Sequence, residues 1–396
     1  MALDNDQLQI VTVRTRHCGE VDLHVLGDVS NVGHKPVFLT VHDFGSNATS
    51  FNNFLLHPSM AEVRPKSVWL NFELPGQGTN APELPVSFKF PTLDEVAEDL
   101  AEVLHQLKIE CVVGFGEGAG ANILCRFAMA YPTKISGLIL VHPTATSAGF
   151  MEWAKEKLVQ WNVNMINPTA EEYLVMYKFG SEVENSEASD RQRLIQQYIQ
   201  EIRNQMNHKN MFAYMDAFHK PKLLVPVYRP AETSGTESRF FLLFLLGNAR
   251  KIGKAKLSAG LRMLWRFQRL KYSGRFGRRA DFSSQLRSNL KCDCLIICGS
   301  KGSFLHTVQT MHTHMNPQNS TFVKIDDVAD ALLEAPEQVT RNLLLFVKGL
   351  GMLTTVYTPA ERASVQVNAS HERRRISMHE ADTPRCASPS RPATTQ

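Results

Sequence analysis

Five short apolar runs, at residues 36–41, 67–72, 111–114, 137–141 and 294–298, constrain this chain more than any other feature. They do not alternate with polar residues. A strand with one wet face alternates with period two; a strand without alternation must be covered on both faces, as in a parallel sheet. Helical patterns separate the runs. Residues 92–107 open on Thr92 with Glu95 three positions later, a capping box in which each residue satisfies a free backbone N–H of the other. Residues 121–130 form a second helix stopped by Tyr131-Pro132, and 336–350 a third with Pro336 at its start. This alternation predicts an α/β fold with a mostly parallel central sheet flanked by helices.

Two stretches depart from it. Residues 8–14 and 21–26 alternate about a turn at His17-Cys-Gly-Glu and read as a hairpin. Residues 145–219 hold helical patterns at 151–161, 169–179 and 189–207 with no strand between them, which predicts a helical cap. The body then divides into 1–144 and 278–353, with the sheet resuming at Cys292. Residues 354–396, rich in Ser, Thr, Arg and Pro, read as a disordered tail. The longest apolar run, 240–246, falls far short of the ~20 residues a membrane helix needs.

Residues 112–120 read Val-Val-Gly-Phe-Gly-Glu-Gly-Ala-Gly, between a strand and a helix. In that context a Gly-x-Ser-x-Gly turn lifts a nucleophile above the sheet. With Gly114 and Gly118 as the outer glycines, the centre is Gly116, which has no oxygen or sulfur with which to attack carbon. A Gly-rich turn after a strand can also cradle a pyrophosphate, although no Lys-Ser/Thr pair follows. The plainest reading is that the glycines let helix and strand approach closely.

The wider pattern resembles α/β-hydrolase proteins. Val41-His42-Asp43-Phe44-Gly45 resembles their oxyanion loop, Phe72-Glu-Leu-Pro-Gly-Gln-Gly78 the loop after their next strand, and 131–141 the link that follows the elbow helix. More particularly, the chain resembles the N-myc downstream-regulated family. The residues that carry this are His42-Asp-Phe-Gly-Ser-Asn, Gly114-Phe-Gly-Glu-Gly-Ala-Gly-Ala-Asn-Ile-Leu-Cys-Arg-Phe-Ala and Phe346-Val-Lys-Gly-Leu-Gly-Met. The likeness covers 1–219 and 278–353 and omits 220–277. It implies an α/β-hydrolase fold without a working triad and cytoplasmic roles in signalling, differentiation, stress response or trafficking. It also implies a phosphorylated Ser/Thr-rich tail.

In the hydrolase pattern the acid follows a late strand, and Cys298-Gly-Ser-Lys-Gly302 puts Gly302 there. The histidine precedes an acidic-x-Pro signal; counting back from Glu334-Ala-Pro336 reaches Ala329. Its neighbours Asp326, Asp327 and Asp330 cannot do the work of imidazole near neutral pH. Gly116, Gly302 and Ala329 thus stand where nucleophile, acid and base are expected. His42, Asp43, Phe115, Glu117 and His142 border the expected ligand pocket, and each also fits as a hydrogen-bonded loop or core residue. Asp43 would oppose a developing oxyanion.

The net charge of +4 comes from one segment. Residues 238–280 hold twelve Lys or Arg and no acid; the remaining 31 basic and 39 acidic residues carry −8. A basic segment with Trp265 and Phe267 suits weak peripheral contact with an anionic membrane. Basic charge alone gives nucleic acid only non-specific affinity, so no specific nucleic-acid binding is expected. The surrounding insert, 220–277, reads equally as an isoform-specific loop or an unspliced stretch, with low order. In the tail, Arg373-Arg-Arg-Ile-Ser377, Thr383-Pro384 and Ser388-Pro389 make Ser377, Thr383 and Ser388 candidate phosphorylation sites.

Cys292, Cys294 and Cys298 fall on one strand face as buried thiols, and His312-x-His314 reads as an exposed helix end. Neither has the spacing of a zinc site, and no metal or cofactor is expected. Seven cysteines and a polar N-terminus without a secretion signal fit a reducing, cytoplasmic setting. The expectation is a non-catalytic signalling or adaptor protein, its protein partners and oligomeric state left open. The alternative is an atypical hydrolase, or a small-molecule or lipid binder, using a pocket under the cap.

Overall fold

The computed structural model describes residues 8–30, 32, 35–145, 168–180, 189–219 and 282–356. The helix expected at 151–161, the insert at 220–277 with its basic block at 238–280, and nearly all of the tail with Ser377, Thr383 and Ser388 lie outside those residues.

The hairpin is present: β1 (Leu8–Arg14) and β2 (Glu20–Leu26) pair antiparallel, Leu8 opposite Leu26. β2 is antiparallel to β4 (Val68–Phe72). Every later pairing is parallel, through β3 (Val37–Val41), β5 (Val112–Glu117), β6 (Ile135–Val141), β7 (Asp293–Gly299) and β8 (Ser320–Ile325). The strand order is β1-β2-β4-β3-β5-β6-β7-β8. The chain leaves β3 for β4 on one side, then crosses to β5 on the other. The C-terminal ends of β3 and β5 therefore flank the reversal point at which open α/β sheets carry their sites.

The helices are, in chain order, α1 (Ala48–Leu56), α2 (Leu93–Gln106), α3 (Gly118–Ala130), α4 (Pro168–Phe179), α5 (Ser189–Asn204), α6 (His208–His219), α7 (Ser283–Asn289), α8 (Leu305–Thr313), α9 (Ala331–Glu334) and α10 (Pro336–Gly349). The capping box at α2 forms as expected: Thr92 N donates to Glu95 Oε2 at 2.8 Å and Glu95 N to Thr92 Oγ1 at 3.4 Å. The cap helices α4 to α6 follow β6, and among the described residues no strand lies between them. The helix expected at 189–207 ends at Asn204, and a further helix, α6, starts after Asn207, whose side chain accepts from Lys209 N and Asn210 N.

The absence of alternation has the expected cause. Every residue of β3, β4 and β5 is buried. Successive side chains serve two cores. Leu138, Leu140, Cys294, Ile296 and Cys298 join the core under α2, α3 and the cap. Ile139, Val141, Leu295 and Ile297 join the other, with α1 and α10. There Phe38 stacks on Trp69 with centroids 4.0 Å apart. Replacing Trp69 with Ala would cost about 3–5 kcal/mol in transfer and cavity terms.

The cap is tied to the C-terminal part of the body. Arg191 of α5, 6% exposed, donates through Nε to Glu334 Oε2 at 2.7 Å and through its second amino group to Asp327 O at 2.7 Å. Glu334 Oε1 in turn accepts from Ala329 N and Asp330 N.

Candidate functional site

β5 runs through Glu117, and the strand-to-helix turn falls on Gly118, at φ +51°. The sequence contains two overlapping Gly-x-Gly-x-Gly frames, and the backbone selects the second. Gly116 lies inside β5, two residues short of the turn, where a Cβ would stand 2.7 Å from the backbone of Ala121. The helix expected from residue 121 accordingly begins at Gly118. A left-handed turn favours glycine, and here space demands it too: a Cβ on Gly118 would overlap the carboxylate of Asp43. At Gly120 a Cβ would run into the carbonyl of Val41, so the helix packs directly on the end of β3.

Asp43 follows β3. Its Oδ1 accepts from Phe44 N and from Ala119 N, each at 2.8 Å. These are an N–H from the loop after β3 and the N–H following the turn residue, the pair that forms an oxyanion hole in this type of turn. Asp43 therefore fills with its own carboxylate the place a substrate oxyanion would take.

Above the turn, α4 sends Lys178 down from the cap, with 9% of its side chain exposed. Its Nζ lies 2.9 Å from Glu117 Oε1 and 2.7 Å from Asp330 Oδ2. Asp330 also caps α9, accepting from Leu333 N at 2.9 Å. The space left among Asp43, Glu117, His142, Lys178, Gly302 and Asp330 is about 20 Å³, room for one water.

The electrostatics follow from three buried carboxylates facing one ammonium. Burial pushes Asp43 up to about 6, against the pull of the Ala119 N–H and Lys178. Burial pushes Glu117 up to about 7; Lys178 opposes this while Asp330 and Asp43 reinforce it. Burial would raise Asp330 as well, but Lys178, His142 and the Leu333 N–H together outweigh it and hold that carboxyl below its usual range. Burial would lower Lys178, yet Asp330 and Glu117 hold it well above its ordinary value, so it stays charged.

His142, just past β6, is pressed down to about 4 by burial and is neutral. Its Nε2 accepts from Ala331 N at 3.2 Å, which leaves the proton on Nδ1, 3.4 Å from Cys298 Sγ. Burial pushes the Cys298 thiol up to about 12.

Asp43, Glu117, His142 and Gly302 are thus brought together. Phe115 is not: it points through β5 into the opposite core, edge-on to Phe51 at 5.1 Å and Phe54 at 5.7 Å. His42 also lies apart, beneath Tyr214, with Leu74 N donating to its Nε2 at 3.2 Å. Ala329 is fully buried, and its neighbour Asp330 is the residue that enters the cluster. Cys294 and Cys298 are buried thiols on the β7 face expected, whereas Cys292 precedes β7 and is only half-buried. His314 is exposed at the end of α8, while His312 stacks on Phe322 at 5.7 Å. The sequence presents Gly118 only as an outer glycine of the turn, and Lys178 carries no motif of its own. A lysine set between Tyr177 and Phe179 in a helix was the available signal for the second.

Among the described residues no helix is long and apolar enough to cross a membrane. The model of the Ndr family matches residues 11–228 and 267–354. An uncharacterized protein of Caenorhabditis elegans is 33% identical, covering 98% of this chain and 98% of its own. Protein NDRG3 of Xenopus tropicalis is 26% identical over 84% of this chain and 72% of that protein. Among solved structures, a thermophilic esterase from Thermogutta terrifontis superposes with a TM-score of 0.56 at 18% identity, over 86% of this chain and 99% of that one. A hydrolase from Pseudomonas aeruginosa gives 0.54 at 13% identity, over 86% and 98%. The structural likenesses establish an α/β-hydrolase fold and nothing about activity. Both parts of the sheet body match one family, and a relative is similar from end to end: the chain belongs to the Ndr family.

Proposed function

We propose that this chain is a non-catalytic α/β-hydrolase-like protein that acts as a cytoplasmic signalling or adaptor protein through contacts with other proteins. The observation that carries the non-catalytic part is Asp43. Acyl transfer needs the N–H pair of the oxyanion hole free when negative charge develops. Here both donors are spent on a carboxylate of the chain itself. Gly118, Gly302 and Ala329 at the nucleophile, acid and base positions agree with this reading, with Gly118 in place of Gly116.

The groups that could substitute are held unreactive. An amine nucleophile must be neutral, and Lys178 is charged. A thiol must ionise, and Cys298 resists it. The lone pair of His142 is already taken by Ala331 N–H. The adaptor role rests on family membership, and phosphorylation of Ser377, Thr383 and Ser388 would regulate it. Weak membrane contact through 238–280 belongs to the same reading.

The test is hydrolysis of p-nitrophenyl acetate and butyrate by the purified full chain. The expected rate is that of unspecific surface chemistry, unchanged in Glu117→Gln and in His142→Ala. Turnover that disappears in either variant would overturn the proposal.

A further inference from the structure

Beside the filled centre lies a second space, about 260 Å³, walled by α5, the start of α1 and the loop before it. Glu117 and Lys178 belong to both spaces. Sites for small molecules usually span ~300–1,000 Å³, so this one suits a ligand of only a few heavy atoms.

Three features bear on what it takes. The first is charge. Glu117 and Glu201 line the cavity, with Asp330 and Asp43 behind. Among the described residues Lys178 is the only cation in its wall, and its charge is already matched by Glu117 and Asp330. The second is unspent hydrogen-bonding capacity. Glu117, 3% exposed, and Tyr198, 4% exposed, both line the cavity, and among the described residues Glu117 Oε2 and the Tyr198 hydroxyl have no partner. Leaving such groups unmet costs about 1–3 kcal/mol each, so natural structures rarely keep them without a use. The third is polarity: Ser46, Asn53, Gln197 and Gln205 add hydroxyls and amides to the wall.

We propose that this cavity binds a small organic cation carrying an ammonium group, held by the carboxylates of Glu117 and Glu201. An anion would add to an existing surplus of negative charge. A neutral polyol would meet the amides and hydroxyls but leave that surplus uncompensated. Burial pushes both carboxyls up, Glu117 to about 7, and a cation beside them would favour their charged forms. The proposal goes beyond the adaptor reading and does not depend on it.

The test is thermal unfolding of the full chain with ethanolamine, ethylene glycol or sodium acetate, each at about 10 mM and matched ionic strength. Ethanolamine should raise Tm by about 3 °C when well above its dissociation constant; the other two should not. Glu201→Gln, an exposed position that leaves folding intact, should weaken ethanolamine about tenfold by calorimetry. An equal shift with ethylene glycol would make this a polyol site and overturn the proposal. So would a shift with acetate, no shift with ethanolamine, or unchanged ethanolamine affinity in Glu201→Gln.

Discussion

Two spaces lie side by side beneath the cap, and they differ in almost every physical respect. The one over Gly118 is shut to about 20 Å³ by Lys178, and nearly all its polar atoms are partnered. The one beside it is some ten times larger and, among the described residues, keeps a carboxylate oxygen and a phenol without partners. Helix α4 reaches both through Lys178, whereas α5 lines only the larger. The difference teaches that neighbouring spaces in one framework can be closed or kept open by a few side chains. The space over the turn is filled by Asp43 and Lys178, from two distant parts of the chain, while the neighbouring space is left open and polar.

The comparison can be broken most directly at Lys178. Lys178→Met keeps the length of the side chain but leaves Glu117 and Asp330 buried without their cation. A loss of about 3–5 kcal/mol is expected by urea denaturation. A loss below about 1 kcal/mol would mean that charge does not hold the centre shut. Next is Gly118→Ala, which puts a Cβ both at positive φ and into the Asp43 carboxylate. It should cost about 2 kcal/mol or more, and should not be rescued by salt.

A third measurement uses pH. The folded state raises Glu117 to about 7, so it prefers the protonated form more than the unfolded chain does. Such a group subtracts stability as pH rises from the ordinary carboxylate range to about 7, and no more above that. The stability of the wild type relative to Glu117→Gln should therefore fall between about pH 5 and pH 7 and level off beyond. A difference independent of pH would place Glu117 among the permanently ionised groups. The smallest effect belongs to the open side: Gln197→Ala should change stability by no more than about 0.5 kcal/mol, since this exposed side chain lines the cavity without supporting it.

Much of the fold was legible because its signals are local. The unalternating runs became β3 to β7, and Thr92 with Glu95 became the start of α2. β8 escaped notice because it lies at the sheet edge and only Ile325 is buried, which leaves almost no pattern to read. α1 was equally silent.

The site was legible only in part. Alternating glycines at 114, 116, 118 and 120 admit two frames, and only the backbone decides that the turn is at Gly118. Phe115 sits next to the site in sequence but on the other side of the sheet in space. Lys178 is 61 residues from the glutamate it meets, so nothing in its neighbourhood announces that pairing.

The link between Arg191 and Glu334 has a consequence for how the molecule comes apart. The ties run from α5 of the cap to a carboxylate that also organises the backbone at 329–330. Opening the cap would leave the Glu334 carboxylate without its cation and the Asp327 carbonyl without its donor, and unravelling α9 would release the cap. The two segments, 143 positions apart, should therefore exchange their amide hydrogens as one cooperative unit. A chain cut short before Glu334 would lose its cap's anchorage along with its last helices.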